Sequence, residues 1–345
     1  MTPPTPGRRA GPGGRPPGTP RARGDSPPPR TPLTPQTPPA PGAGTDHTLA
    51  RDLAVEAGRR LIELRAEGGE PDLLRKAGDR LAHEFLTSEL AARRPGDVVL
   101  SEEGADDPAR LAASRVWIVD PLDGTREFGE PGRTDWAVHV ALWERSDVSD
   151  SGDLAAGAVA LPAQDKVLST ALRPSAEPHG GHNHVALATT LSQPCRWDRP
   201  QTSAGSRNVV AEGTCEADGP GGATNQGERG PRMRIVVSRS RAPRLVYGIS
   251  DLIGAELVPL GSAGAKVAAV VYGDADAYVH AGGFYEWDTA APVAVARAAG
   301  FHASRIDGSP LAYNQANLKM PDILVCRPAL AGALLQAIRE VTNAP

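Results

Sequence analysis

Val116-Trp117-Ile118-Val119-Asp120-Pro121-Leu122-Asp123-Gly124-Thr125 is the stretch on which the fold turns. Four apolar residues run straight into two carboxylates three positions apart, with a proline between them and a Gly-Thr pair behind. A short apolar run bounded by Pro, Asp and Gly reads as a buried strand ending in a turn. Asp120 and Asp123 then leave one strand end together, which suits a hard divalent cation: Mg²⁺ takes oxygen ligands and keeps waters and phosphate oxygens in its other positions. Gly124-Thr125-Arg126 opens a helix whose free N–H groups and positive dipole end favour a phosphate. An ordinary turn shares the same Pro, Asp and Gly composition. What separates the two readings is the set of acids elsewhere in the chain.

Glu102, in Ser101-Glu102-Glu103, follows its own strand, Val98 to Leu100. Two neighbouring strand ends can converge their acids on one point. A pair of cations about 3.5–4 Å apart needs a shared carboxylate and others on each outer face. Asp120 suits the bridge, Asp123 the second cation, and the Leu122 carbonyl the first. Thr125 offers a hydroxyl to position a water. Asp288, before Thr289-Ala290-Ala291-Pro292, is an N-cap candidate that can also serve as a ligand. Asp79, in Lys76-Ala77-Gly78-Asp79, is another N-cap candidate.

The 345 residues do not all read as folded. Residues 1–45 hold fifteen of the chain's 34 prolines, six arginines and a single acid, so they bury too little to offset ordering entropy and are expected to be disordered. A second polar, Gly- and Ser-rich stretch, 173–231, reads as a disordered insert and contains Cys195, Cys215, His179, His182 and His184 without zinc-site spacing. Cys326, in Ile323-Leu324-Val325-Cys326, reads as a buried reduced thiol. What remains, 46–172 and 232–345, is ample for a core. Helical spacing of Leu49, Leu53, Ala57, Leu61 and Leu64, and again of Leu81, Phe85, Leu86 and Leu90, predicts two opening helices, followed by a run of short strands to Thr170. After the insert, strands at Ile235, Leu257 and Ala277 alternate with helices over 243–253, 264–272, 288–299 and 330–341. Strand and helix in turn argue for α/β layers, with 46–172 as an N-terminal metal-binding half and 232–345 as a C-terminal half.

No apolar signal region or membrane span is visible, so a cytoplasmic location and no membrane partner are expected. A chain that is 4% aromatic with a net charge of -4 gives no support for nucleic-acid binding either. The sequence leaves open a homodimer.

The ordered set Asp79, Ser101-Glu102-Glu103, Trp117 to Thr125, Gly261-Ser262-Ala263 and Glu286-Trp287-Asp288-Thr289-Ala290-Ala291-Pro292 resembles the inositol monophosphatase superfamily. Arg126-Glu127-Phe128 makes the chain look most like the CysQ-type 3'(2'),5'-bisphosphate nucleotidases within it. The resemblance covers residues 46–345 apart from the insert. It implies a layered αβαβα sandwich of the inositol monophosphatase and fructose-1,6-bisphosphatase type. It also implies Mg²⁺-dependent hydrolysis of a small phosphate ester, with two or three Mg²⁺ per site. Glu102, Asp120, the Leu122 carbonyl, Asp123 and Asp288 match the family's metal ligands, and Asp79 its third, weaker position. Glu102, Asp123 and Thr125 would carry the chemistry, Glu102 with Thr125 orienting the attacking water. Gly124, Thr125 and Arg126 would flank the scissile phosphate, and Ser262, Ala263, Lys266 and His280 the rest of the ligand. The expected reaction removes the 3'-phosphate of adenosine 3',5'-bisphosphate, a by-product of sulfate assimilation. The alternative is an inositol or fructose bisphosphate phosphatase on the same metals. His280-Ala281-Gly282 stands where inositol enzymes carry a glutamate, which disfavours inositol, and His280 falls where many nucleotidases carry an arginine.

Overall fold

The computed structural model describes residues 45–147, 151–171 and 232–343. Two five-stranded mixed sheets and three helical layers alternate, an αβαβα sandwich. Both opening helices begin at a cap. Thr45 accepts the Thr48 N–H at the start of α1 (Asp46–Glu67), and Glu70 accepts the Leu73 N–H before Pro71 at the start of α2 (Pro71–Arg93). Each such cap is worth about 1 kcal/mol. Leu49, Leu53, Ala57 and Leu61 on α1, and Phe85, Leu86 and Leu90 on α2, form the stripe buried against the first sheet.

That sheet runs in chain order through β1 (Val98–Ser101), β2 (Arg115–Asp123), β3 (Ala137–Arg145), β4 (Gly152–Leu161) and β5 (Lys166–Ser169). β1 and β2 are parallel and the rest antiparallel. Strand side chains alternate faces, and β3 shows the consequence. Val138, Val140 and Leu142 pack beneath α1 and α2, while Ala137, Ala141 and Trp143 pack on the opposite face. Buried on both sides, the strand reads as a nearly continuous apolar run.

The opposite face meets α5 (Ala263–Tyr272) and α6 (Glu286–Ala298), the central layer. Every residue of α5 from Ala263 to Val270 is buried. A helix apolar all round is one enclosed on all sides. Beyond it lies the second sheet: β6 (Arg234–Ser238), β7 (Glu256–Leu260), β8 (Ala277–Tyr285), β9 (His302–Ser304) and β10 (Lys319–Cys326), in the order β7-β6-β8-β10-β9. Ile235, Val279 and Leu324 face outward to α4 (Arg244–Ile253) and α7 (Pro328–Thr342), while Val236, Tyr278 and Ile323 face α5 and α6.

Several expectations change in detail. α2 starts at Pro71, so Asp79 lies in mid-helix and Glu70 is the N-cap. α6 starts at Glu286, so Asp288 is the third residue of the helix and Tyr285 the cap position. β8 continues past His280 to Tyr285, and β10 spans the stretch holding the Ile323–Cys326 run. The helix opened by Thr125, α3 (Thr125–Gly129), is only five residues long, so it contributes little dipole. Cys326 is buried and free. Of the predicted tail 1–45 only Thr45 is described, and the predicted insert 173–231 lies outside the described residues. Among the described residues, no helix is long and apolar enough to cross a membrane.

Candidate active site

β2 does not end at Asp120, as the apolar run suggested; it continues to Asp123. Asp120 pairs with His139 and Asp123 with Ala137, so three steps on β2 match two on β3. One extra residue is a β-bulge. Its effect is decisive, because in a regular strand residues three apart point to opposite faces. The bulge brings both carboxylates to the same site. Pro121, which has no N–H to give a ladder, is tolerated there. The Leu122 N–H donates to Asp120 Oδ1 at 3.1 Å, closing the turn.

Gly124 follows with φ 87°, the left-handed region where a Cβ is costly, and its carbonyl accepts the Phe128 N–H to start α3. Thr125 Oγ1 then lies 3.0 Å from the Leu122 carbonyl and 3.3 Å from Asp79 Oδ1. Thr125 therefore pairs with Asp79 on α2.

Asp123 is held by two donors on one oxygen, with a histidine nitrogen close by. Ser262 Oγ donates to Asp123 Oδ2 at 2.5 Å, the Gly264 N–H at 2.8 Å, and His139 Nε2 lies 3.2 Å away. Ser262 also accepts the Ala265 N–H, capping α5. Its hydroxyl is spent on Asp123 and on the helix, so Ser262 fixes the orientation of the Asp123 carboxylate. Gly264 has a steric reason: a Cβ there would collide with His139 Nε2. His139 Nδ1 lies 3.2 Å from the Trp287 carbonyl, so the fully buried ring is wedged between β3 and α6.

The acids form one electrostatic unit. Burial, then repulsion from Asp288, raises Glu102 to about 7, and burial raises Asp288 to about 6. Burial and the Glu102 charge push Asp120 well above the ordinary range, and these two carboxyls share a hydrogen bond. Asp79 is lifted to about 6 by burial and by Glu103. Asp123 goes the other way. Burial opposes its ionisation, but His139, Lys266 and Ser262 outweigh that and hold it at about 2. Among the described residues no Lys or Arg forms an ion pair with Glu102, Asp120 or Asp288. Buried carboxylates without cations are unfavourable by several kcal/mol each. A bound divalent cation relieves that penalty, and the donor set, carboxylates plus the Leu122 carbonyl, is the all-oxygen set hard cations prefer. Ligand atoms of Asp120, Asp123 and His139 lie within 4.8 Å of one another.

A cleft of about 420 Å³ gathers these groups. Glu102, Asp120, Leu122, Asp123, Thr125 and Asp288 line its acidic side. Gly124, Arg126, Ser262, Ala263, Lys266 and His280 line the remainder. Asp79 reaches it through Thr125. Asp288 does two jobs: it lines the cleft and accepts the Tyr285 N–H at 2.7 Å.

The chain matches the inositol monophosphatase family over residues 47–343. It belongs to that family. A relative from Mycobacterium leprae (strain TN), named 3'-phosphoadenosine 5'-phosphate phosphatase, is 46% identical over 302 residues, 86% of this chain and 94% of its own length. One from Escherichia coli (strain K12), named 3'(2'),5'-bisphosphate nucleotidase CysQ, is 28% identical, over 76% of this chain and 91% of its own. Among solved structures, CysQ from Bacteroides thetaiotaomicron superposes with a TM-score of 0.55 at 24% identity, over 82% of this chain and 97% of that one. Members of the inositol monophosphatase family are metal-dependent phosphatases, and the acid cluster of this member suits that chemistry.

Sequence reasoning missed His139, Ser238, Ser240, Arg241 and Phe284. His139 had a signal: it is the lone polar residue in the apolar run Trp136–Leu142. Arg241 had a weaker one, Ser238-Arg239-Ser240-Arg241 directly after a strand, the place where ligand-binding loops sit in α/β sheets.

Proposed function

We propose that this chain is a Mg²⁺-dependent 3'(2'),5'-bisphosphate nucleotidase that removes the 3'-phosphate of adenosine 3',5'-bisphosphate, a by-product of sulfate assimilation, in the cytoplasm. The observation that carries it is the convergence of Glu102, Asp120, Asp123 and Asp288 on one cleft whose other wall is basic. The names of the Mycobacterium leprae and Escherichia coli relatives support the substrate.

Glu102, Asp120, the Leu122 carbonyl, Asp123 and Asp288 would hold two Mg²⁺, and Asp79 a third. Bound Mg²⁺ supplies charge neutralisation for the phosphoryl group and the leaving oxygen. The chain's own groups do the rest. Asp79, with its elevated pKa and its contact to Thr125 Oγ1, is placed to draw a proton through the hydroxyl from the attacking water. Glu102 would help to orient that water. Gly124, Thr125 and Arg126 would flank the scissile phosphate, and Ala263 and Lys266 the ligand beyond it, while Ser262 keeps Asp123 turned.

Phosphate release from adenosine 3',5'-bisphosphate, inositol 1-phosphate and fructose 1,6-bisphosphate, measured side by side, tests the reading. The bisphosphate nucleotide is expected to give the highest kcat/KM. If inositol 1-phosphate or fructose 1,6-bisphosphate leads, the substrate assignment is wrong, although the metal site is untouched.

A further inference from the structure

Ser262 is the strained point of the site. Its φ of 25° and ψ of 134° lie outside the regions that an L-residue ordinarily occupies, so the turn that carries it persists only because its surroundings hold it. That turn delivers the Ser262 hydroxyl, and with it the Gly264 N–H, to Asp123 Oδ2.

Most of the hydrogen bonds that hold it come from the second sheet and the central helix. The Arg239 N–H, just past β6, donates to the Leu260 carbonyl at 3.0 Å, and Lys266 Nζ on α5 donates to the Gly261 carbonyl. The Ala265 and Lys266 N–H groups fold back on Ser262 itself. One hydrogen bond comes from the first sheet. Asp135, two residues before β3, accepts the Gly261 N–H on Oδ2 at 2.6 Å, and Arg133 pairs with the same oxygen. Burial opposes the Asp135 charge, but the Gly261 N–H and Arg133 outweigh it and hold the carboxyl below its ordinary range. The backbone closes in as well: a Cβ on Gly261 would lie 2.7 Å from the Asp135 carbonyl, and one on Gly124 3.2 Å from it. Asp135 therefore lies against both the turn that follows Asp123 and the turn that carries Ser262. It does not line the cleft, so whatever it does for the site it does through those turns.

We propose that Asp135 is a positioning residue for the metal site: bonded to the Gly261 N–H, it holds the strained turn so that the Ser262 hydroxyl and the Gly264 N–H stay on Asp123. The consequence for Mg²⁺ rests on the reading of Asp123 as a ligand given above. A ligating carboxylate that loses the partners orienting it binds its metal less tightly.

The test is calorimetric titration of Mg²⁺ into the metal-free full chain, with Tm and steady-state kinetics measured on the same proteins. Asp135→Ala is expected to weaken Mg²⁺ binding by about 10- to 100-fold, the scale of a lost outer partner. Asp135→Asn keeps an acceptor oxygen without the charge and should lose about threefold, which gives a reading if the alanine variant does not fold. In both, activity should recover at saturating Mg²⁺ while KM for adenosine 3',5'-bisphosphate stays within about threefold, because no substrate contact is removed. Asp135→Ala combined with Ser262→Ala should weaken Mg²⁺ binding by less than the product of the two single effects, since both act on one turn. Variants that lose Tm but keep wild-type Mg²⁺ affinity overturn the proposal, as do single effects that simply multiply. Loss of the fold in both Asp135 variants overturns it too, because Asp135 would then be holding the fold and not the turn. A wild-type chain that binds no Mg²⁺ overturns the metal reading itself, and the Asp135 role with it.

Discussion

Thr125 Oγ1 stands 3.3 Å from Asp79 Oδ1, a contact between the turn after β2 and the middle of α2, 46 residues apart in the chain. Burial and the charge of Glu103 raise Asp79 to about 6. The pair joins a hydroxyl that can touch a water to a carboxylate that can take its proton.

Removing either member should therefore damage the chemical step more than binding. Thr125→Ala and Asp79→Asn are each expected to lower kcat by roughly 10²–10⁴-fold, the usual scale of general acid–base assistance, with KM changing far less. A pure KM effect in Thr125→Ala would reassign Thr125 to holding substrate.

Asp120 is the proposed ligand shared between the two cations. It is 1% exposed, hydrogen-bonded with Glu102 and close to His139. Asp120→Asn should abolish turnover and lower Mg²⁺ affinity, read by calorimetry, because a neutral amide removes the negative charge that the proposed shared ligand supplies. Near wild-type turnover at saturating Mg²⁺ would falsify the shared-ligand role.

His139 should matter through Asp123. Its Nε2 lies 3.2 Å from the carboxylate oxygen that Ser262 and Gly264 hold, which leaves Oδ1 unclaimed by them. His139→Ala is expected to weaken Mg²⁺ binding by about 10- to 100-fold, the scale seen when a metal ligand loses its outer support, and His139→Asn by less. Equal Mg²⁺ affinity in all three proteins would leave the ring a purely structural filler of the β3–α6 gap.

The carboxyl cluster also predicts how pH and metal combine. Asp79, Glu102 and Asp288 have folded-state pKa values raised to about 6, 7 and 6 from ordinary values near 4. Raised acids contribute stability that is present at low pH and lost as pH rises through the folded pKa. His280, pushed down to about 4, works in the opposite direction over pH 4 to 6.5, and Glu286, raised to about 7, adds to the loss. Neither His280 nor Glu286 is proposed to hold metal, so comparing the protein with and without Mg²⁺ cancels them. The gain in Tm on adding Mg²⁺ should grow from pH 5.5 to pH 8, and Mg²⁺ affinity should fall below about pH 7 as protons compete. A pH-independent Tm gain would count against these three acids as ligands.

Much of this protein is legible in its amino-acid sequence. The layered architecture follows from elements that announce themselves locally: the leucine spacing of α1, the apolar run of β2, and the Ala- and Val-rich segment that becomes α5. Periodicity belongs to single elements, so a linear chain carries it. The acids were legible for the same reason, since Glu102, Asp120, Asp123 and Asp288 each stand next to the end of a recognisable strand or the start of a helix.

Tertiary structure alone decided the pairings. The bulge in β2 depends on its register against β3, where Asp120 meets His139 and Asp123 meets Ala137, and register exists only between strands. The contacts Thr125–Asp79, Ser262–Asp123 and His139–Asp123 join residues 46, 139 and 16 positions apart respectively, distances over which no local pattern operates. The start of α6 two residues early, with Asp288 bonding back to the Tyr285 N–H, is a capping choice made where β8 hands the chain to the helix. Residue types and spacings thus determined which groups are present and on which elements. Which group touches which was decided by packing two sheets around α5 and α6, because long-range contacts form only when distant elements share one core.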